Sequence, residues 1–168
     1  MSDGLRHAQR ADQKMYSPMP LGPEGAMLLI EATLLHRLEE FRQVKATTPE
    51  SGGILMGYRR GIHTHITEAT FPVHEDVRRR FGFVRRAEHH TLLAVQRWHE
   101  TDETLDYVGE WHTHPEDYPS PSSIDLVHWR KIVRTSPRQM VFLIIGRVSI
   151  WLGIITENDV ARIHFSIE

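Results

Sequence analysis

Apolar residues along this chain recur at two spacings. Met27-Leu28-Leu29-Ile30 is a short continuous apolar run, which predicts a buried strand, and Leu34, Leu35, Leu38 and Phe41 then recur at the spacing of one helical face. Thr47-Thr48-Pro49 ends that helical region, because proline and the residue before it disfavour continuing a helix. Glu50 to Tyr58 reads as a buried strand whose glycines imply close approach by another element. Ile62, Thr64 and Ile66 alternate with His63, His65 and Thr67, again at strand spacing. Pro72 to Arg86 has no apolar period and is strongly basic, so it reads as irregular. Ala87 to Glu100 predicts a helix that buries Leu92, Leu93 and Val95, followed by an acidic turn from Thr101 to Glu103.

Tyr107 to His114 is a strand by length and aromatic content, and the proline-rich stretch Pro115 to Pro121 is a loop. Ser122-Ser123-Ile124-Asp125 matches a capping box with Asp in place of Glu and starts a helix that runs to about Arg134. Gln139 to Arg147, Ser149 to Thr156 and Val160 to Ile167 follow as consecutive antiparallel strands. Trp111, Trp129 and Trp151 are assigned to the core. Residues 1–20, polar and broken by Ser17-Pro18 and Met19-Pro20, read as a loose lead-in, and 21–168 as a single domain. The expected fold is of the α/β class: a mixed sheet with helices packed on it.

Composition narrows the function. A length of 168 residues with 40% apolar content is enough for one hydrophobic core. The net charge of -2 supplies no global attraction to nucleic acid or to an anionic membrane, so neither is an expected partner. No apolar run is long enough to span a bilayer and Met1 to Gln13 is polar, which predicts a cytoplasmic protein. The chain has no cysteine, which excludes disulfides, thiolate catalysis and cysteine-ligated zinc, including the sites of zinc deaminases. Its 12 histidines keep a histidine and carboxylate metal site open.

On a strand, residues two apart point to the same side, so His112 and His114 present both imidazoles to one point. Asp125, on the first turn of the next helix, is placed to complete a three-ligand site with one position open, the arrangement of catalytic zinc. His63 and His65 have the same spacing but no following proline, serine or helix-borne aspartate, so they read as exposed strand residues. Glu110 shares the strand face of His112, and His128 shares the helical face of Asp125; the simpler readings are a strand-end carboxylate and a surface histidine.

The complete string is Glu50-Ser51-Gly52-Gly53-Ile54-Leu55-Met56-Gly57, then His112-Thr113-His114-Pro115, six residues, and Ser122-Ser123-Ile124-Asp125. It resembles the JAMM (MPN+) metalloprotease family in residue types, in spacing within the second block and in the order of elements from about Ala26 to Thr156. The resemblance implies a cytidine-deaminase-like MPN/JAMM domain with a mainly antiparallel sheet. It also implies one zinc per chain on His112, His114 and Asp125. Glu50 would be the general acid/base, taking a proton from the attacking water and passing it to the leaving amine, and Ser122 would donate a hydrogen bond to the oxyanion.

The strings Pro49 to Gly57 and Gly109 to Pro115 are most similar to the stand-alone bacterial branch of the family, which resembles the deconjugating protease of antiphage cyclic-oligonucleotide signalling operons. That resemblance implies an isopeptidase that frees a nucleotidyltransferase or ubiquitin-like C-terminus from a target amine, with an extended C-terminal tail as its protein substrate. Arg78, Arg79 and Arg80 around Phe81 and Phe83 sit where the family carries a substrate-gripping insertion. The alternatives are a non-catalytic MPN scaffold and a JAMM peptidase that processes a different ubiquitin-like or sulfur-carrier protein.

Overall fold

The computed structural model describes residues 19–20, 25–136, 138–155 and 160–166. Ten strands and three helices alternate along them: β1 (Met19–Pro20), β2 (Met27–Ile30), α1 (Ala32–Glu39), β3 (Gly52–Arg60), β4 (His63–Ala69), β5 (Val77–Arg79), β6 (Gly82–Val84), α2 (Ala87–Glu100), β7 (Asp106–Thr113), α3 (Ser123–Thr135), β8 (Met140–Ile145), β9 (Ser149–Ile155) and β10 (Val160–Ser166). Eight strands form one sheet in the order β1-β2-β4-β3-β7-β8-β9-β10, and β5 and β6 form a separate hairpin. Only β2–β4 and β7–β8 pair in parallel, so the sheet is mixed and mainly antiparallel as expected. Of the expected lead-in over 1–20, only Met19–Pro20 falls among the described residues, paired with β2.

The sheet has helices on both faces. Leu34, Leu35 and Leu38 of α1 pack with Leu28, Ile30, Leu55, Val108, Trp111 and Leu143 on one face. On the other, Trp129 and Val133 of α3 pack with Phe142, Ile144 and Trp151, and Ala94 of α2 packs with Ile54, Met56 and Leu105. All three tryptophans assigned to the core are 1% exposed. A register shift in the β3–β7 pairing, between Leu55 and Met56, lets both Val108 and Trp111 face α1, and it turns Glu110 and His112 toward α3.

Three local expectations are corrected. The helix of Leu34 ends at Glu39, well before Pro49, and Phe41 instead joins the core beside Phe71 and Trp111. Residues read as irregular fold into the β5–β6 hairpin; its strands are three residues each, too short to show a period. Both ends of that hairpin are held by Asp76, whose carboxylate accepts from Val73 N and Arg86 N at 2.8 Å each. In α2, Leu92 and Val95 are 62% and 47% exposed. Leu93 is half-buried as expected, and the inward stripe beside it is His90, Ala94 and Trp98, with a polar residue at its most buried position, so apolar spacing misplaced Leu92 and Val95.

Candidate metal centre and active site

β7 and β8 are parallel and α3 is the crossover between them, so the carboxyl end of β7 and the N-terminus of α3 open on the same crevice, the usual place for ligands in such units. His112, the last residue but one of β7, pairs with Gly52, while His114 N donates to Ile145 O at 3.1 Å and extends the line of the strand by one residue. Their Nε2 atoms are 3.1 Å apart. A Cβ on Gly52 would stand 2.7 Å from both Trp111 O and the Phe83 ring, so glycine is needed where β3 passes the site.

Ser122 caps α3 by accepting from Asp125 N at 3.2 Å, and Asp125 Oδ2 in turn accepts from Ser122 N at 2.7 Å: the predicted capping box is present. The box aims the Asp125 carboxylate at the imidazoles, with Oδ1 3.4 Å from His112 Nε2 and Oδ2 3.5 Å from His114 Nε2. The Ser122 hydroxyl donates to Asp125 Oδ2 at 2.6 Å, which makes it both cap and orienting group. Glu50, the last residue but one before β3, lies on the same imidazole pair: it, His112 and His114 offer ligand atoms within 4.8 Å of one another.

The donor set fits a metal ion. With metal–nitrogen bonds of about 2.0–2.1 Å, an edge of a tetrahedral site is roughly 3.3 Å, near the 3.1 Å between the two imidazole nitrogens, and Asp125 brings one oxygen to 3.4 Å from His112 and the other to 3.5 Å from His114. Two imidazole nitrogens this close cannot both point N–H at each other: either one donates to the other, or both turn lone pairs to a shared cation.

Proton affinities separate the two carboxylates. Burial pushes the Glu50 carboxyl up from its usual 4.5 to about 7, with His114 opposing and Asp125 adding to the rise. Burial also disfavours the Asp125 anion, but His112, His114 and Ser122 overcome that and hold it far below the usual carboxylate range. His114 is raised: burial acts against its charge, and Asp125, Glu50 and Glu116 outweigh burial.

A second polar cluster flanks the site. Glu110 is 8% exposed and receives Arg85 Nη1 at 2.6 Å, His128 Nε2 at 3.3 Å and Tyr107 Oη at 3.4 Å. His128 is the surface histidine expected, with its side chain 57% exposed, while the simple reading of Glu110 as a strand-end carboxylate gives way to a buried carboxylate that Arg85 and His128 both engage. Arg85, Glu110 and His128 line both a cleft of about 430 Å³ that holds Glu50, His112 and Asp125, and a groove of about 470 Å³ between α2 and α3 floored by Ile54 and Leu105.

The basic hairpin divides its side chains. Arg78 turns inward, donating Nε to Glu50 O at 3.0 Å and Nη2 to Ser51 Oγ at 2.5 Å, while Glu50 N donates to Arg79 O at 2.7 Å. Arg80 reaches the carbonyl of Ala46, and Phe83 lines the site cleft. Arg79 and Phe81 are exposed. His63 and His65 lie away from the site, accepting from Met27 N at 3.1 Å and pairing with Glu31 at 2.7 Å.

Comparison with known proteins identifies the lineage. Residues 36–162 match Prok-JAB, the prokaryotic homologs of the JAB domain. The chain belongs to the Prok-JAB family. Its relatives include proteins named CD-NTase/cGAS isopeptidase. One from Escherichia coli (strain TW11681) is 42% identical over 137 residues, covering 81% of this chain and 86% of the relative. One from Vibrio cholerae serotype O1 is 39% identical over 127 residues, covering 76% and 81%, and one from Pseudomonas aeruginosa is 36% identical over 145 residues, covering 81% and 92%. The Prok-JAB match runs from α1 into β10 and includes His112, His114, Glu50, Ser122 and Asp125.

Proposed function

We propose that this Prok-JAB protein is a zinc-dependent isopeptidase that hydrolyses the bond between the C-terminus of a CD-NTase-like nucleotidyltransferase and a target amine. The enzyme class is that of its relatives, a hydrolase of isopeptide bonds. The reading is carried by the convergence of His112, His114 and the anionic Asp125, all within 3.1–3.5 Å contacts of one another, with a second, proton-retaining carboxyl beside them. Zinc bound there supplies a Lewis acid for the scissile carbonyl and for water. Among the described residues no helix is long and apolar enough to cross a membrane.

The side chains divide the remaining work. His112, His114 and Asp125 would hold the ion, and Ser122 keeps Asp125 aimed through its backbone N–H and hydroxyl; to serve the oxyanion, the hydroxyl proton would turn from Asp125 Oδ2, leaving the backbone N–H on the carboxylate. Glu50 takes the proton of the attacking water and returns it to the leaving amine; a carboxyl near neutrality is suited to both transfers. Exposed Arg79 and Phe81, with Phe83 in the cleft, take the extended tail of the acyl-donating protein. Reversal of conjugation in a bacterial antiphage system is the corresponding physiological role.

Incubation with a nucleotidyltransferase joined through its C-terminus to a lysine amine, read by mass spectrometry, should show cleavage at that junction. Chelation should abolish it and zinc restore it, with about one zinc per chain in the active protein. Glu50→Ala should keep zinc and substrate binding and lose at least about 100-fold in turnover, whereas Asp125→Ala should lose the metal. Near-normal turnover in Glu50→Ala, or full activity in metal-free protein, would end this reading.

A further inference from the structure

Gln43 follows α1 in an irregular stretch, ahead of Glu50 in the same connection and remote in sequence from the imidazole pair, yet it is 1% exposed. Its Nε2 donates to Thr48 O at 3.1 Å and to Arg80 O at 2.8 Å, and its Oε1 accepts from Thr113 Oγ1 at 3.1 Å. Both carbonyls can only accept, so the amide nitrogen must face them and its oxygen must face the hydroxyl. The Thr113 hydroxyl is used twice, since it also accepts from Ser51 N at 3.0 Å. Each polar atom of this buried amide therefore has a partner, and each partner is specified by its chemistry.

All three partners adjoin the reacting groups. Thr48 is two residues before Glu50. Arg80 follows β5 in the hairpin turn, next to the Arg79 carbonyl that receives Glu50 N and the Arg78 guanidinium that binds Glu50 O. Thr113 stands between His112 and His114. The segment carrying Glu50, the turn of the hairpin and the end of β7 thus meet on one side chain.

We propose that Gln43 is a positioning residue for the hydrolysis: it fixes the Glu50 backbone against the imidazole pair by tying these three segments together. This rests on the role given to Glu50 above. Thr113 N still donates to Ser51 O at 2.9 Å without Gln43, so its loss should loosen the Glu50 segment rather than unravel the sheet.

Gln43→Leu keeps the volume and leaves two carbonyls and a hydroxyl without their buried partner. In metal-free, substrate-free protein, hydrogen exchange followed by mass spectrometry should quicken about tenfold or more at the Glu50 and Ser51 amides, with the strands β8 and β9 unchanged. Where cleavage is measurable, kcat should fall about tenfold or more with KM within about twofold and zinc content retained. In the Glu50→Ala background, Gln43→Leu should cost nothing further, because the positioned group is gone; a loss that multiplies in both backgrounds would mean general damage and overturn the proposal. If Gln43→Leu does not fold, Thr113→Val cuts the link from the other end; because it also removes the acceptor of Ser51 N, the Glu50 amide, held by Arg79 O, is then the readout, and Thr113→Ser should restore it. Unchanged exchange at Glu50 and Ser51 in the folded variants would refute the positioning role. Because exchange needs no substrate, that result is distinct from a failure of the isopeptidase reading, which shows in the unmodified protein.

Discussion

Glu50 and Asp125 are chemically alike and face the same imidazole pair, yet their surroundings drive their proton affinities apart. Asp125 sits on a helix N-terminus, hydrogen-bonded by Ser122 N and Oγ and opposed by two imidazoles, so its anion is favoured. Glu50 is buried 8% exposed before β3, and desolvation dominates, raising it to about 7. Such divergence separates a metal ligand from a proton carrier. It also has a stability consequence in the metal-free protein. A carboxyl raised from 4.5 to about 7 favours the fold fully below 4.5 and loses that contribution as pH rises through about 7. Glu50→Gln removes the cost of ionising a buried group. Urea unfolding of metal-free protein should therefore find the variant more stable by roughly 1–3 kcal/mol at about pH 8, with that gain shrinking toward pH 4.5. A gain independent of pH would assign it to something other than this carboxyl.

Among the elements, the β5–β6 hairpin does two jobs with adjacent residues. Strand alternation sends Arg78 inward to Glu50 and Ser51 and leaves Arg79 outward, so the proposed function gives neighbouring arginines separate parts, one beside Glu50 and one toward the substrate. Steady-state kinetics should divide them: Arg78→Ala should lower kcat about tenfold, whereas Arg79→Ala and Phe81→Ala should raise KM a few-fold with little change in kcat. Equal effects of Arg78→Ala and Arg79→Ala on KM would return both to the tail-binding surface. The α3 element works by a similar economy, because one capping box both starts the helix and orients a metal ligand.

At the scale of the whole molecule, the hairpin, α2 and the sheet are joined through one buried chain. Asp76 accepts from His90 Nε2 at 3.1 Å, and His90 Nδ1 meets Thr70 Oγ1 at 2.5 Å; that oxygen also accepts from Ile54 N at 2.8 Å. Burial lowers the His90 pKa despite Asp76, so the folded state resists the proton that the unfolded chain accepts near 6.5. The contribution to stability is complete above 6.5 and falls as pH drops below it. Relative to His90→Gln, the wild type should lose stability on acidification below about pH 6.5 by up to about 1.4 kcal/mol per pH unit, the slope of one proton. Chemical unfolding of the two proteins across that range measures it, and parallel curves would exclude His90.

Much of this protein is local in origin. Apolar runs and alternation specified β2, β4, β7, β8, β9 and β10 nearly to the residue, α2 to both ends, and the capping box placed Asp125 one helical turn into α3, because these depend on neighbours within a few residues. The spacing of His112 and His114 and the serine and aspartate after them made the site legible for the same reason, since strand period and helix cap are short-range geometry. What only the tertiary structure decided is how distant segments meet. Nothing within the sequence near Gln43 announces that Thr48, Arg80 and Thr113 converge on it, and nothing near His90 marks it as the buried side of α2. The pairing of Arg85 and His128 on Glu110, and the inward turn of Arg78, likewise depend on which elements the sheet order brings together. Buried polar side chains take their roles from partners remote in the chain, and a partner's identity is fixed only when packing removes water and leaves each donor one acceptor within reach.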